Sequence, residues 1–347
     1  MSQHTAPNGR SSVEIDWGNL GFGYRETDFM FVAKCGLDGE WDQGEIRPLR
    51  HLQLSPAACI LHYGQGLIEG LKAYRSKEEH ILLFRPEENA KRMIAGADRL
   101  CMPAMPAHHF VEAVKQTVLA NKRWIPPPGK GSLYIRPLLM GSGAVLPPAP
   151  PPEYTFVVYV APVSNYFKGG LTPIHLIVET TCHRAMPGGI GAIKTAGNYA
   201  SVMKTQLNAK KNGFSDVIYL DVVEKKYIEE TSSSNIFLVK ANKLATPELT
   251  GTILPGITRK SVIELARIKG YQVEERPVSV DEVRVADEVF CTGTAVVIVP
   301  VGSISIRGEM VRYANEGVGK VCQELYTALT EIQTGKAMDN MTWTMEI

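Results

Sequence analysis

The stretch GGIGAIKTAGNY at positions 188–199 carries a single charge, Lys194, and no other charged residue separates it from Arg184 on one side or Lys204 on the other. An ammonium set among glycine, alanine and apolar side chains is disfavoured against the neutral amine, so its pKa falls. A neutral lysine condenses with aldehydes to a Schiff base. Gly188, Gly189 and Gly191, just before it, let the backbone approach a ligand closely. A Walker-type phosphate loop does not fit, because Lys194 stands three residues past Gly191 rather than beside the last glycine. PPPGKGS at 126–132 fails too, having no glycine five residues before Gly129.

A lysine that holds an aldehyde cofactor needs three companions: a phosphate site, a partner for a pyridine nitrogen and a neighbour for a phenolic oxygen. Pyridoxal phosphate is the aldehyde to consider, because its ring takes up carbanion electrons while an acidic partner keeps the nitrogen protonated. GTILPGITRKSVIELARIKG (251–270) reads as an apolar strand, a Pro-Gly turn and an amphipathic helix that opens on Ile257 and Thr258. A helix start offers unpaired N–H groups and a positive dipole end to a phosphate. CTGTAVV (291–297) is a second turn of small and hydroxyl residues, and KYIEETSSSNIF (226–237) sets Glu229 and Glu230 beside a hydroxyl-rich turn at the mouth of a strand. Taken alone, the helix start reads as an ordinary capped helix and the carboxylate pair as solvated, while the turn at 291–297 suits either reading.

The elements that must position such groups alternate in type. ILLFR (81–85) reads as a buried strand, and Pro86 suits the first turn of a helix. Ala90, Met93, Ile94, Ala97 and Leu100 then recur at helical spacing and leave Arg92 beside the apolar stripe. A second helix is expected over 107–122, with Phe110, Val111, Val114, Val118 and Leu119 on one face. SLYIRPLLM (132–140) and YTFVVYVAPV (154–163) are strands joined by the proline-rich LPPAPPPE. After SNYFKGGL the chain begins again, with strands over 215–221 and 235–240 and in ADEVFCTG and VVIVPV, and helices over 258–269 and 315–334. The expectation is a mixed α/β fold in two domains: a smaller one over 1–165, a linker at 166–174 and a larger one over 175–347.

Composition narrows the function classes. The chain has 347 residues, 44% hydrophobic and 21% charged, which suits about two folded domains. A net charge of +1 gives no surface for nucleic acid. The six cysteines are scattered without a C-x-x-C pair, so a reducing compartment and no disulfide framework are expected. No apolar run is long enough for a membrane helix. MSQHTAPNGRSSVEID is neither a secretory signal nor a convincing presequence, which places the chain in the cytoplasm as it stands, or in a plastid or mitochondrion if a presequence has been removed. His108, His109 and His183 lack spaced partners, so no metal is expected.

Seven segments, YGQGLIEGLKAYR, LFRPEENAKRM, SLYIRPLLMGSG, GGIGAIKTAGNY, EETSSSNIFLV, GTILPGITRKS and ADEVFCTGTA, follow one another in a familiar order. From about Trp17 to the end the sequence resembles the branched-chain amino acid aminotransferases, pyridoxal phosphate enzymes of fold type IV, and most of all their plant branch. The resemblance implies a cofactor at the interface of the two domains. It implies that Lys194 is the covalent anchor and acid/base, that Tyr199 meets the ring's phenolic oxygen and that Glu230 pairs with the pyridinium nitrogen. Arg92, Ile257, Thr258 and Thr294 would cradle the phosphate, and Ser233 belongs to the cofactor set where some members carry threonine. Tyr63, Tyr134, Arg136 and the backbone N–H groups of Thr294 and Ala295 would receive substrate, with Arg136 meeting the distal carboxylate of glutamate or 2-oxoglutarate. The implied reaction is reversible ping-pong amino transfer between leucine, isoleucine or valine and 2-oxoglutarate, in a homodimer whose Tyr63 crosses to the other subunit. A relative acting on methionine is a near alternative. Val296 and Val299 stand where mammalian mitochondrial members carry a redox-active cysteine pair, so that regulation is not expected.

Overall fold

The computed structural model describes residues 15–165 and 170–347. Two sheets organise them. The first is wholly antiparallel and runs, in spatial order, through Thr344–Glu346, Ile81–Phe84, Leu71–Arg75, Ser132–Gly141, Tyr154–Val163, Phe29–Cys35 and Glu45–Pro48, with Gly66–Ile68 paired to Ser132–Gly141. Helices Pro86–Arg99 and Ala107–Ala120 pack on one face through Ala90, Met93, Phe110, Val114 and Val118 against Leu83, Leu133, Ile135 and Phe156.

The second sheet runs through Gln272–Glu275, Lys243–Thr246, Asn235–Lys240, Glu288–Gly293, Val297–Ile306, Ile174–Val178, Asp216–Leu220, Tyr227–Thr231 and Val278–Ser279. Helices Ile257–Ile268 and Lys320–Gln333 cover Phe237, Phe290 and Ile298, while Ile218, Ile236, Val289 and Val299 fill a separate apolar layer. This alternation along Asn235–Lys240 and Glu288–Gly293 is the period of two that a strand imposes.

Several sequence expectations change. Of the expected linker, residues 166–169 lie outside the described residues. The unit placed over 175–347 is not all one body of sheet, because the last strand, Thr344–Glu346, pairs with Ile81–Phe84 in the first sheet. Trp343 fixes that return by packing on Phe84 and under Arg85. The helix expected over 107–122 stops at Ala120, and Leu119 is exposed, lying one residue past the buried stripe. The helix expected from 315 starts at Lys320, because Asn315 adopts a left-handed backbone and the Glu288 carboxylate accepts the N–H groups of Val321 and Cys322 at the true start. GTIL forms no strand; its backbone groups are spent on site side chains instead, as follows.

Candidate active site

Lys194 ends an irregular loop, and Thr195 stands at the N-cap position of the helix Ala196–Lys211 without a side-chain bond to it. Two contacts fix the lysine's backbone against the first sheet: Ile68 N–H donates to Lys194 O at 3.0 Å, and Thr195 Oγ1 donates to Gly66 O at 2.8 Å. Gly191 is required for a reason the sequence did not supply. An added Cβ would lie 2.3 Å from Thr252 O, so the glycine lets the loop touch the 252–254 segment rather than a ligand. Burial, reinforced by the Arg92 charge, brings the Lys194 amine down to about 8. Its Nζ donates at 2.6 Å to Tyr199 Oη, which the first turn of that helix brings back over the lysine. Burial raises the Tyr199 phenol, which keeps it protonated.

Glu230, 2% exposed, lies at the end of strand Tyr227–Thr231. Leu254 N–H donates to its Oε1 at 2.8 Å, Asn235 Nδ2 to its Oε2 at 3.3 Å, and Arg184 forms an ion pair with it at 2.9 Å. Burial pushes the carboxyl up to about 7, with Arg184 pulling the other way. Arg184 also donates to Thr252 O and Gly191 O, and Asn235 to Leu254 O. The backbone of 252–254 therefore satisfies these buried side chains in place of a sheet partner.

The helix Ile257–Ile268 has Gly256 at its N-cap and no side-chain cap, so the first N–H groups remain available to an anion. Arg92 reaches the same point from the first domain, donating to Pro255 O at 3.1 Å. Glu69, fully buried, grips Arg92 at Nε and Nη2 at 2.8 and 2.7 Å and is itself held by Asn89 at 2.7 Å. Burial would lower the Arg92 pKa, and Glu69 more than restores it.

Across from Lys194, strand Ser132–Gly141 presents Tyr134 and Arg136 on one face, as residues two apart must be. Arg136 Nη2 donates to Tyr134 Oη at 3.1 Å, while its Nε is buried with no acceptor. Gly70 sits beneath Tyr134, where an added Cβ would lie 2.2 Å from the hydroxyl. Phe22 meets Tyr134 edge-on, and Thr294 Oγ1 donates to Gly70 O at 3.1 Å, which brings the 294–296 turn to the same place. Two expected residues stand apart. Tyr63 is exposed, its hydroxyl donating to Leu146 O, and Ser233 is exposed at the rim of the turn between Tyr227–Thr231 and Asn235–Lys240.

The structure thus gathers Lys194, Tyr199, Glu230, Arg92, Ile257, Thr258, Tyr134, Arg136, Thr294 and Ala295. It adds Glu69, Lys72, Arg184, Asn235 and Phe22. Glu69 and Lys72 lie within the YGQGLIEGLKAYR segment, where no local pattern marks their partners. These residues fit pyridoxal phosphate: an amine of depressed pKa, a buried carboxylate, and an arginine converging on an uncapped helix start. Beside them stands the orphaned guanidinium N–H of Arg136.

Such a site on two sheets fits the chemistry of an amino-group transferase that holds an aldehyde cofactor. Residues 66–304 match the family described as amino-transferase class IV, and the chain belongs to that family. It is 61% identical over 335 residues to branched-chain-amino-acid aminotransferase 5, chloroplastic, of Arabidopsis thaliana, a match covering 96% of this chain and 81% of that one. The fold resembles the Escherichia coli branched-chain amino acid aminotransferase, with TM-score 0.79 and 28% identity over 92% of this chain and 99% of that one. It also resembles the T.th. branched-chain amino acid aminotransferase with pyridoxamine 5'-phosphate, with TM-score 0.78 and 26% identity over 93% and 99% of the two chains. The chain is an aminotransferase, its cofactor is pyridoxal 5'-phosphate and its substrates are small molecules.

Proposed function

We propose that the enzyme exchanges an amino group between L-leucine, L-isoleucine or L-valine and 2-oxoglutarate, in two half-reactions that share one pocket. The observation that carries this reading is the face-to-face placement of the Lys194–Tyr199 pair and the Tyr134–Arg136 pair. Pyridoxal phosphate, when bound, supplies the electron sink that makes a substrate Cα proton acidic. Lys194 Nζ would anchor the cofactor and then hold and return the proton at that Cα, a role suited to an amine brought down to about 8. Tyr199 keeps Nζ oriented through its 2.6 Å bond. Glu230 would pair with the ring nitrogen, its carboxylate fixed by Arg184, Asn235 and Leu254 N–H. Arg92, the N–H groups of Ile257 and Thr258, and Thr294 would hold the phosphate. Tyr134 and neighbouring apolar groups receive the branched side chain. Arg136 receives the distal carboxylate of 2-oxoglutarate, since its planar fork suits that group. The N–H groups of Thr294 and Ala295 receive the carboxylate next to Cα.

A steady-state profile of amino donors tests the substrate assignment. Leucine, isoleucine and valine should exceed methionine and alanine in kcat/KM, and a profile led by methionine would replace the reading.

The enzyme works as a homodimer in which Tyr63 completes the partner's pocket. Tyr63 and Leu146, both exposed and joined by a hydrogen bond from the Tyr63 hydroxyl to Leu146 O, support this as residues available to a second copy. Sedimentation of a fully active monomer would overturn it, as would a Tyr63→Ala enzyme with unchanged KM. For compartment we favour the plastid, on the strength of the chloroplastic relative. Microscopy of a fluorescent fusion expressed from the complete gene decides the matter.

A further inference from the structure

Lys194 is not the only lysine at this site. Lys72 stands directly opposite Tyr134 in the antiparallel pairing of Leu71–Arg75 with Ser132–Gly141, and Arg136 stands opposite Tyr159 in the next pairing. Residues so paired point to one face of a sheet, so Lys72, Tyr134, Arg136 and Tyr159 share the face that looks toward Lys194. Lys72 is 7% exposed. Its Nζ donates to Ala295 O at 2.9 Å, which uses one of the three N–H groups of an ammonium. Among the described residues no carboxylate pairs with it, and burial alone brings the amine down to about 7. A buried charge is ordinarily paired, because leaving water uncompensated is costly. This one lies beside the turn to which the Cα carboxylate has been assigned.

The turn itself needs holding. Gly293 pairs with Val297 across it, and Val297 has φ of 60°, a left-handed conformation that a β-branched residue takes only when its surroundings impose it. Two bonds from one short segment of the first sheet act on the turn: Thr294 Oγ1 to Gly70 O at 3.1 Å and Lys72 Nζ to Ala295 O at 2.9 Å.

We infer that Lys72 is a substrate-positioning residue: it holds the Thr294–Ala295 turn in place and supplies the counter-charge for the carboxylate that amino-acid and oxo-acid substrates have in common. The inference rests on the branched-chain reading, which puts that carboxylate at the turn. It gives Lys72 a task different from that of Arg136. The arginine serves the second carboxylate of one substrate, whereas Lys72 serves a group that every substrate carries.

The test is binding of 4-methylpentanoate, a leucine skeleton without the amine, and of its uncharged amide to the holoenzyme, by calorimetry. Lys72→Met should weaken the acid by about tenfold or more, as loss of a charge-assisted contact does, and leave the amide within about twofold. Lys72→Arg should restore the acid to within about threefold. KM for leucine and for 2-oxoglutarate should rise by the same factor in Lys72→Met. If that variant does not fold, Lys72→Gln, which keeps a donor for Ala295 O but no charge, carries the same expectation. Unchanged acid binding overturns the inference, and so does equal loss of acid and amide, since that would reflect a collapsed pocket. Wild-type enzyme that binds neither compound would strike down the branched-chain reading itself, whereas wild-type binding with an indifferent Lys72→Met strikes down only the role of Lys72.

Discussion

Replacing Arg136 by methionine separates the two substrates that one pocket must serve. In the wild type the guanidinium donates to Tyr134 Oη at 3.1 Å, lies 5.2 Å over the Tyr134 ring and buries Nε without an acceptor. A substrate carboxylate deprived of a buried cationic partner loses about 2–5 kcal/mol. For 2-oxoglutarate this corresponds to a fall of about 30-fold to several thousandfold in kcat/KM. Leucine and its oxo acid present no distal charge, so their losses should stay within about threefold, which is under about 1 kcal/mol. The folded state gives up one charged hydrogen bond and a cation–π contact of about 0.5–1 kcal/mol. It recovers the penalty of an unsatisfied donor, about 1–3 kcal/mol, so Tm should move by no more than about 3 °C. Stopped-flow half-reactions on the holoenzyme measure this directly: leucine against the aldehyde form, 2-oxoglutarate and 4-methyl-2-oxopentanoate against the amine form. Equal losses for both oxo acids would refute the assignment of Arg136 to the distal carboxylate.

Three further predictions follow from the same geometry. Lys194→Ala removes the anchor and the proton carrier together and should lower turnover by several orders of magnitude; borohydride trapping with peptide mapping should find no label at that position. The same residue shapes the stability of the apoenzyme. Its folded pKa of about 8 lies below the ordinary 10.5, so between these values the unfolded chain binds a proton that the folded one has lost. Stability should therefore rise with pH across that window, by about 3 kcal/mol at most, and Lys194→Met should flatten the rise in urea titrations. An identical slope in both proteins would contradict it. Gly191→Ala would drive a Cβ to within 2.3 Å of Thr252 O. It should destabilise the protein by about 1–3 kcal/mol and weaken cofactor binding, because the displaced segment carries Leu254 N–H to Glu230. Unaltered cofactor affinity would mean that the 252–254 contact does not orient Glu230.

Much of the chemistry was visible in one dimension. Lys194 stood out because an isolated charge among small residues is rare, and the start of the helix at Ile257 was legible because Pro-Gly followed by an amphipathic run signals a helix N-terminus. The strands Ser132–Gly141, Tyr154–Val163 and Asn235–Lys240 and the helix from Pro86 followed from apolar periodicity and proline placement. GTIL misled because four apolar or small residues look like a buried strand. Its own backbone at Thr252 and Leu254, with Pro255 just after, partners the side chains of Arg184, Asn235, Glu230 and Arg92, which no local pattern reveals.

What the sequence determined by itself was an amine isolated among small residues and a helix start open to an anion, because residue type and near spacing fix acidity and helix starts; the residues expected around them came from the resemblance to a family. What only the tertiary structure decided was which distant charges meet. Glu69 with Arg92, Arg184 with Glu230 and Lys72 with Ala295 join segments from 23 to 223 residues apart. Each pairing arises because the fold buries a charged group away from water, and a buried charge must find its partner wherever the fold delivers one.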